Sequence, residues 1–386
     1  MKPRICLVVS VRYFINWFLM DQIEKLSHRY EVTVLAKTDD VEVLARHGID
    51  ARVINVPIER PIRPWTDLRA LFALMRIFRR DRYAIVHSIG PKAGLLAMLA
   101  AFICRMPVRV HTFVGQVWVT RTGFGRSVLK AVDRLIAFAA THVLIDSFTQ
   151  RDFLIHERVV SDRKSRVLGH GSLSGVNMKK FRPDAAKRSR VRQESAIAEQ
   201  ALLFLYMSRL TRDKGALVMA EGFRRFCEAG DSTSHLIVVG PDEEGLRPRI
   251  AEICSSCRER LHFADYTEVP EDYMAAADVL CLPSYREGFG SVLIDAAAVG
   301  IPAIASRIYG SEEAIQENVT GLLHAAGDHE QLAQCMGRLA ADAQLRSQLG
   351  RNARERAERC FSEDLVTGAV LQFYAEILAP PAVAVN

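Results

Sequence analysis

The feature that most restricts the fold of this 386-residue chain is an alternation of short apolar runs with amphipathic segments, which occurs twice. The runs of the first half are residues 5–10, 32–35, 53–56, 84–87, 108–112, 142–145 and 166–168. Those of the second half are residues 202–206, 235–239, 261–263, 279–282, 302–305 and 322–323. Amphipathic stretches such as 65–78 and 216–228 separate them. This pattern predicts an α/β protein with two doubly wound parallel sheets.

A polar segment with three glycines, residues 169–184, interrupts the alternation and favours a linker. A chain of this length is expected to divide into two domains. We therefore predict an N-terminal domain over residues 1–183 and a C-terminal domain over residues 184–365. Residues 366–386 are expected to form a helix that packs back on the N-terminal domain, followed by a tail.

The basic charge belongs to one half of the chain. Residues 1–183 contain 30 Lys and Arg against 15 Asp and Glu, which is a net charge of +15. The whole chain has a net charge of +6, so residues 184–386 have a net charge of −9. Such asymmetry indicates a partner with fixed negative charge: an anionic lipid, a polyphosphate or a nucleic acid.

No apolar stretch is long enough to span a bilayer, and the first apolar run is too short for the core of a signal peptide. The eight cysteines lie mostly inside apolar runs, as reduced structural thiols do. Cys254 and Cys257 form one CxxC without a second ligand pair, so we expect no metal site. These observations predict a cytoplasmic protein.

A positively charged turn follows the first strand of the second half. Arg209 and Lys214 lie between residues 202–206 and the helix that begins near residue 216. A strand end that leads into a helix N-terminus binds anions, and two cations would match a diphosphate. The alternative is a solvated basic turn.

A second candidate segment follows the buried run 279–282 and carries two acids and two glycines. Glu287 lies in a loop and Asp295 in the following helix, so the carboxylates are on the order of 12 Å apart. This separation exceeds the roughly 5 to 9.5 Å of glycosidase acid and base pairs. The two carboxylates are better placed to bind two parts of one long ligand. The alternative is that the segment is only a capped helix with a surface acid.

These residues resemble the retaining family 4 glycosyltransferases. The likeness comprises Arg209 with Lys214 and Glu287 with Asp295, and it continues through residues 300–305 and 320–323. The resemblance implies the GT-B fold, in which two Rossmann-like domains face each other across a cleft. The family usually has Glu where this chain has Asp295.

The resemblance also implies roles for the second half. Arg209 and Lys214 would neutralise the diphosphate of a UDP-sugar, Glu287 would hold the sugar, and Asp295 would hold the ribose. The backbone near the base and sugar would come from Gly240, Pro241, Asp265, Tyr266, Gly288, Phe289, Gly290 and Ser291. The UDP-sugar would be a substrate, with no cofactor and no metal.

In the first half, His111 ends the run 108–112 and matches the acceptor-side histidine of the family; a structural histidine is the alternative. The family's glycine-rich loop after the first strand is missing. Arg12 and Tyr13 stand there instead and suggest a loop that contacts the acceptor.

A segment after His111 has the pattern of an interfacial helix. Arg126 and Lys130 are four residues apart, and Trp118 and Phe124 could enter the headgroup layer of an anionic membrane. An ordinary core helix with a basic edge is the alternative. Gly115 and Gln116 complete the predicted acceptor and membrane region.

This segment and residues 308–315 resemble the branch that acts on polyprenyl-diphosphate sugars. That likeness implies transfer of an N-acetylhexosamine or a derivative from a UDP-sugar to an undecaprenyl-diphosphate-linked sugar, with retention of configuration, during assembly of a bacterial surface glycan or glycoprotein oligosaccharide. The enzyme would be peripheral on the inner face of the cytoplasmic membrane. A GT-B epimerase of UDP-sugars is the rival enzyme. A nucleic-acid-binding protein is disfavoured because no nucleic-acid-reading motif accompanies the basic residues.

Overall fold

The computed structural model describes residues 2–59, 61–230 and 233–379. The chain forms two compact units. One runs up to Gly175 and resumes at Glu363, and the other extends from Val176 to Ser362. Each unit contains one parallel sheet with helices on both faces, which is the architecture that the alternating pattern predicts.

The sheet of the first unit has seven strands in the order β3-β2-β1-β4-β5-β6-β7, and all neighbours are parallel. The strands are β1 Arg4–Val11, β2 Glu31–Lys37, β3 Ala51–Asn55, β4 Ile85–Ile89, β5 Val108–Phe113, β6 His142–Ile145 and β7 Ser165–Arg166. The helices are α1 Arg12–Phe14, α2 Met20–Ser27, α3 Val43–Arg46, α4 Pro64–Asp81, α5 Pro91–Ile103, α6 Gly123–Ala139 and α7 Phe148–His156. A π-helix, Ile15–Leu19, and a 3₁₀ turn, Asp162–Lys164, complete the unit.

The second unit has a six-stranded parallel sheet in the order β10-β9-β8-β11-β12-β13. The strands are β8 Leu203–Met207, β9 His235–Val239, β10 Leu261–Ala264, β11 Val279–Leu282, β12 Ala303–Ser306 and β13 Gly321–His324. The helices are α8 Ala185–Glu194, α9 Ala216–Glu228, α10 Arg247–Ile253, α11 Pro270–Ala276, α12 Ser291–Val299, α13 Ser311–Ala314, α14 His329–Ala341 and α15 Ala343–Phe361. Two 3₁₀ segments occur at Arg212–Lys214 and Ser255–Arg260.

The last helix, α16 Glu363–Leu378, belongs to the first unit. Its buried side chains Val370, Phe373 and Tyr374 pack in the apolar layer that α2 and α3 form on one face of the first sheet. Helices α4, α5 and α6 cover the opposite face.

The predicted strands are confirmed, with boundaries that differ from the observed ones by at most two residues. All eight cysteines are reduced, and six of them are buried. The CxxC lies in the segment between α10 and β10, where Cys257 has non-helical backbone angles. The register of each sheet brings the carboxyl ends of its strands to one edge, and the segments with Arg12, Arg209 and Glu287 directly follow strands at these edges.

Candidate active site

In the second sheet, β9 and β10 follow outward on one side of β8, and β11, β12 and β13 follow on its other side. The order of the strands therefore reverses between β8 and β11. Open α/β sheets bind ligands beyond the carboxyl ends of their strands at this kind of point. The turn with Arg209 and Lys214 follows β8, and the loop with Glu287 follows β11. The two segments that sequence reasoning singled out therefore lie side by side.

A lysine and a glutamate form the centre of this site. Lys214 Nζ lies 2.7 Å from Oε1 and 2.8 Å from Oε2 of Glu287, whose side chain is only 10% exposed. The buried Ser284 donates from Oγ to the same Oε1 at 2.8 Å. The ammonium group has three N–H donors, so its contacts with the carboxylate leave donor capacity for a second anion.

Backbone contacts hold the two segments together. Gly215 ends the Lys214 turn with φ +71°, and a Cβ there would lie 1.9 Å from the carbonyl oxygen of Pro283. Only glycine allows this approach. The Tyr285 N–H donates to the Asp213 carbonyl at 2.9 Å, and Arg286 Nε lies 3.0 Å from the Asp213 carboxylate. The turn and the loop form one connected structure.

Arg209 lies in the same turn and pairs with a different acid. Its Nη1 is 2.6 Å from Glu243 Oε2. The hydroxyl of Tyr206 lies within hydrogen-bonding distance of the carbonyl oxygens of Arg209 and Lys214, at 3.3 and 3.2 Å. Burial, followed by the charge of Glu287, raises the pKa of the Tyr206 hydroxyl, which therefore stays protonated as a donor.

The residues predicted to surround a base lie at the ends of β9 and β10. The Gly240 N–H donates to the Ala264 carbonyl at 3.2 Å, and Pro241 accepts from the Leu210 N–H at 2.9 Å. Pro241 is thereby tied to the Arg209 turn. Asp265 pairs with Arg247 at 2.8 Å, with its own side chain 86% exposed, and Tyr266 is also exposed.

The glycine loop leads into α12. Gly290 has φ +85° and stands at the N-cap of this helix, directly after Gly288 and Phe289 and before Ser291. The Phe289 ring is buried and contacts Phe361 at a centroid distance of 5.2 Å. The ring of Phe289 therefore serves the core, and its backbone, the part predicted to lie near the sugar, remains available to a ligand. Asp295 is half-buried within α12.

The first sheet reverses its strand order between β1 and β4. Arg12 and Tyr13 directly follow β1 at this point. Arg12 pairs with Asp40 at 3.2 Å, and the exposed Tyr13 ring lies 6.1 Å from Trp17. Arg12 and Tyr13 therefore lie at the carboxyl edge of the sheet, and their contact with an acceptor stays a prediction.

His111, which was matched to the acceptor-side histidine, lies in the interior of the first unit, as the alternative of a structural histidine requires. The side chain is fully buried, and its Nδ1 is hydrogen-bonded to the Ser88 hydroxyl at 2.8 Å. The ring packs so closely on α5 that a Cβ on Gly94 would lie 2.3 Å from it. Burial, with a smaller contribution from nearby His87, lowers the pKa of His111 to about 3, so the imidazole is neutral.

The expectation that Trp118 enters a lipid headgroup layer is also contradicted. The indole is 1% exposed, stacks on Phe153 and donates from Nε1 to Asp133 at 2.7 Å. Gln116 is buried as well and accepts a hydrogen bond from Gln150 at 3.1 Å. Gly115 precedes Gln116 with φ +97°.

The cations of α6 have protein partners. Arg126 and Lys130 both contact the Glu157 carboxylate, and both lie over the Trp118 ring, 5.2 and 5.6 Å from its centroid. These contacts correct the prediction that the two cations face lipid phosphate. Phe124, which is 84% exposed, is the one member of this predicted set whose exposure fits a surface contact.

Sequence reasoning missed three residues of the site in the second unit: Ser284, Asp213 and Arg286. Ser284 stands three residues before Glu287 at the end of a buried strand, a position that points toward the same edge. Asp213 and Arg286 are separated by 73 residues, and nothing in their local sequence indicates that they pair.

Among the described residues, no group of three or more His, Cys, Asp or Glu side chains is arranged to hold a metal ion. Over the same residues, no helix combines the length and apolar character needed to cross a membrane.

Two family models match the chain. The model "Glycosyl transferases group 1" covers residues 187–356, and the model "Glycosyl transferase 4-like domain" covers residues 15–171. A D-inositol 3-phosphate glycosyltransferase from Streptomyces bingchenggensis is 31% identical over 78% of this chain and 68% of its own length. The chain is a family 4-like GT-B glycosyltransferase.

Two further relatives of this glycosyltransferase have informative names. The capsular polysaccharide biosynthesis glycosyltransferase CapM of Staphylococcus aureus is 26% identical over 89% of this chain and 91% of CapM. An Escherichia coli enzyme named UDP-Gal:α-D-GlcNAc-diphosphoundecaprenol α-1,3-galactosyltransferase is 24% identical over 72% of this chain and 71% of its own.

Solved structures share the fold at lower identity. HepE of Anabaena in complex with UDP and glucose superposes with a TM-score of 0.79 at 18% identity, and covers 97% of this chain and 100% of HepE. Sucrose-phosphate synthase of Thermosynechococcus elongatus gives a TM-score of 0.82 at 22% identity over 97% of this chain and 99% of its own. These likenesses support the GT-B fold of the glycosyltransferase.

Proposed function

We propose that this glycosyltransferase moves a sugar, an N-acetylhexosamine or a derivative of one, from a UDP-sugar to a hydroxyl of a polyprenyl-diphosphate-linked sugar. The reaction retains the anomeric configuration, needs no metal or cofactor, and takes place at the inner face of the cytoplasmic membrane during surface glycan assembly. The observation that carries the proposal is the contact of Lys214 with Glu287 at the reversal point of the second sheet.

The chemistry follows from the two charges in this contact. A diphosphate leaving group gains negative charge as its bond to the anomeric carbon breaks, and a preorganised cation stabilises that charge. Lys214 is held in place by Glu287, and Arg209 lies in the same turn. Two cations of the protein supply the charge that a metal ion supplies in other transferases.

Glu287 is suited to hold the donor sugar. Its carboxylate accepts from Lys214 and Ser284 and is only slightly exposed, so its position is fixed. A fixed carboxylate orients sugar hydroxyl groups by accepting their hydrogen bonds. The acceptor oxygen then bonds to the anomeric carbon on the face that the diphosphate leaves, and the leaving phosphate oxygen takes the acceptor proton.

The choice of donor and acceptor is supported by the names of relatives. The Escherichia coli relative is named for a UDP-sugar donor and a diphosphoundecaprenol acceptor, and CapM for capsule biosynthesis. HepE was crystallised with UDP. The net charge of +15 in residues 1–183 matches an acceptor that carries a diphosphate in an anionic membrane.

The test is transfer from a panel of UDP-sugars to a synthetic polyprenyl-diphosphate sugar, with UDP affinity measured separately. Lys214→Ala is expected to lower turnover by about 10²–10³-fold, as loss of a transition-state donor does, and to weaken UDP binding. Glu287→Gln should damage transfer more than UDP affinity. Arg212→Ala is the matched control, because this arginine lies in the same turn with a side chain that is 77% exposed.

Normal turnover in Lys214→Ala would remove the diphosphate assignment. Equal loss of transfer and UDP affinity in Glu287→Gln would contradict its role at the sugar. Conversion of the UDP-sugar without any lipid acceptor would identify an epimerase instead.

A further inference from the structure

Helix α4 of the first unit exposes a row of large apolar side chains. Trp65, Leu68 and Phe72 are 80%, 44% and 60% exposed, and Ile62 just before the helix is 80% exposed. The spacing of three and four residues places the helical members on one face. Contiguous exposed apolar surface of this kind marks a contact with a partner.

The helix itself is firmly attached to the unit, so the row is a fixed feature of the surface. On its inner face Ala70, Leu74 and Phe78 are fully buried in the apolar layer under the first sheet. The Phe78 ring contacts Tyr83 edge to face at a centroid distance of 6.1 Å. The tryptophan and phenylalanine of the outer face point away from a core that is already complete.

Cations share the outer face with the apolar row. Arg69, Arg76 and Arg79 are exposed, and none of them has an ion pair within the described part of the chain. The two acids of the helix are neutralised: Asp67 pairs with Lys92 at 2.6 Å, and Asp81 pairs with Arg52 and Arg80. The outer face therefore combines aromatic rings with uncompensated positive charge.

This combination selects one kind of partner. Aromatic and aliphatic side chains that enter the headgroup layer, with arginines against lipid phosphate, are how an amphipathic helix binds an anionic bilayer. A symmetric contact with a second copy would bring the unpaired arginines of both copies together, and like charges oppose such a contact. Helix α6 has less uncompensated charge on its surface, because Arg126 and Lys130 share the single carboxylate of Glu157.

The first turn of α4 lies at the carboxyl edge of the first sheet. Lys92, in the first turn after β4, reaches both Asp67 and the carbonyl oxygen of Pro61. Ligands of α/β sheets bind at this edge. A bilayer against the start of α4 would therefore lie beside the region where Arg12 and Tyr13 follow β1.

We propose that the outer face of α4, with Ile62, is the surface by which the enzyme docks on an anionic lipid bilayer. The inference rests on the proposed lipid-linked acceptor for its biological purpose, and it replaces α6 as the membrane-facing helix.

The experiment is co-sedimentation of the full chain with phosphatidylglycerol-containing vesicles and, in parallel, with neutral phosphatidylcholine vesicles. Trp65→Ser with Phe72→Ser is expected to weaken binding by at least about tenfold, since two rings leave the interface. Arg76→Gln with Arg79→Gln should weaken it by about 25-fold, because each near-surface cation contributes about fivefold, and added salt should do the same.

Phe138→Ser is the matched control, because this phenylalanine is 68% exposed on α6. Vesicle binding that survives both double substitutions, or that is lost in Phe138→Ser, would overturn the proposal. So would wild-type self-association that disappears in the Trp65 and Phe72 variant without any vesicle binding.

UDP affinity and transfer to a detergent-solubilised acceptor separate this inference from the proposed function. Both should be unchanged in the α4 variants. Vesicle docking through α4 by an enzyme that fails to transfer sugar would contradict the proposed function alone.

Discussion

One buried carboxyl group, that of Asp133, makes the stability of this enzyme depend on pH. Asp133 lies on α6 beneath Trp118 and accepts from its indole nitrogen at 2.7 Å. Burial raises the pKa of Asp133 to about 6, and the hydrogen bond from Trp118 opposes this effect only in part. The folded protein therefore keeps a proton on Asp133 in a pH range where the unfolded chain has lost it.

The sign of the pH effect follows from this difference in proton binding. The stability that protonated Asp133 provides is fully present below about pH 4 and is lost as pH rises through about 6. Asp133→Asn should therefore gain stability relative to the natural enzyme over this window, by on the order of 1–3 kcal/mol. Urea denaturation at pH 4, 5, 6 and 7.5 measures the difference. If the difference in stability between Asp133→Asn and the natural enzyme stays constant with pH, the pKa of Asp133 is not raised in the folded protein.

Residue identity predicted the positions of the candidate residues better in the second unit than in the first. Lys214 and Glu287 were predicted from a strand end and a glycine loop, and the structure brings them into direct contact. His111 and Trp118 looked equally promising, yet both are buried. A residue at or just after a strand end can face either the edge or a neighbouring helix, and packing against α5 for His111 and α7 for Trp118 decides which.

At the scale of elements, the site depends on how closely two loops approach. Gly215→Ala would force a Cβ to 1.9 Å from the Pro283 carbonyl oxygen and would also strain a backbone with φ +71°. The displaced turn should lower turnover by about 10²-fold, the cost of a misplacement of about 1 Å. Steady-state kinetics and UDP titration measure the effect.

Gly48→Ala is the matched control for this substitution. Gly48 has φ +73° and no neighbouring atom within 4 Å of a Cβ. It should therefore show the left-handed strain of roughly 1–2 kcal/mol without any loss of turnover. Equal activity in the two variants would show that the contact with Pro283 does not position Lys214.

The elements themselves were largely predictable, because the periods of strand and helix are local properties. Helix α9 was predicted with its observed bounds, Ala216–Glu228. It was harder to predict which side chains on each helix surface have partners within the protein. The patterns of α4 and α6 both indicate amphipathic helices, and only the structure shows that Arg126 and Lys130 of α6 share the carboxylate of Glu157.

At the scale of the whole molecule, the chain leaves the first unit at Gly175 and returns to it at Glu363. Helix α16 then completes the first unit through a buried polar network. Tyr374 Oη is 2.6 Å from His87 Nδ1, and His87 Nε2 is 2.7 Å from the Thr112 hydroxyl. Burial lowers the pKa of His87 to about 3, so the ring is neutral and its two nitrogens act as one donor and one acceptor.

This closure predicts that α16 stabilises the first unit and has no effect on the proposed nucleotide site. Tyr374→Phe would leave one nitrogen of buried His87 without its partner, at a cost of about 1–3 kcal/mol, and the melting temperature should fall by a few degrees. UDP affinity should not change, because Arg209, Lys214 and Glu287 all belong to the second unit.

The matched control is Gln372→Ala, on the exposed face of the same helix, which should leave both the melting temperature and UDP affinity unchanged. Calorimetry with UDP titration decides the matter: a variant that keeps its stability would show that His87 does not need α16, and a variant that loses UDP affinity would show that the effect of α16 extends to the nucleotide site.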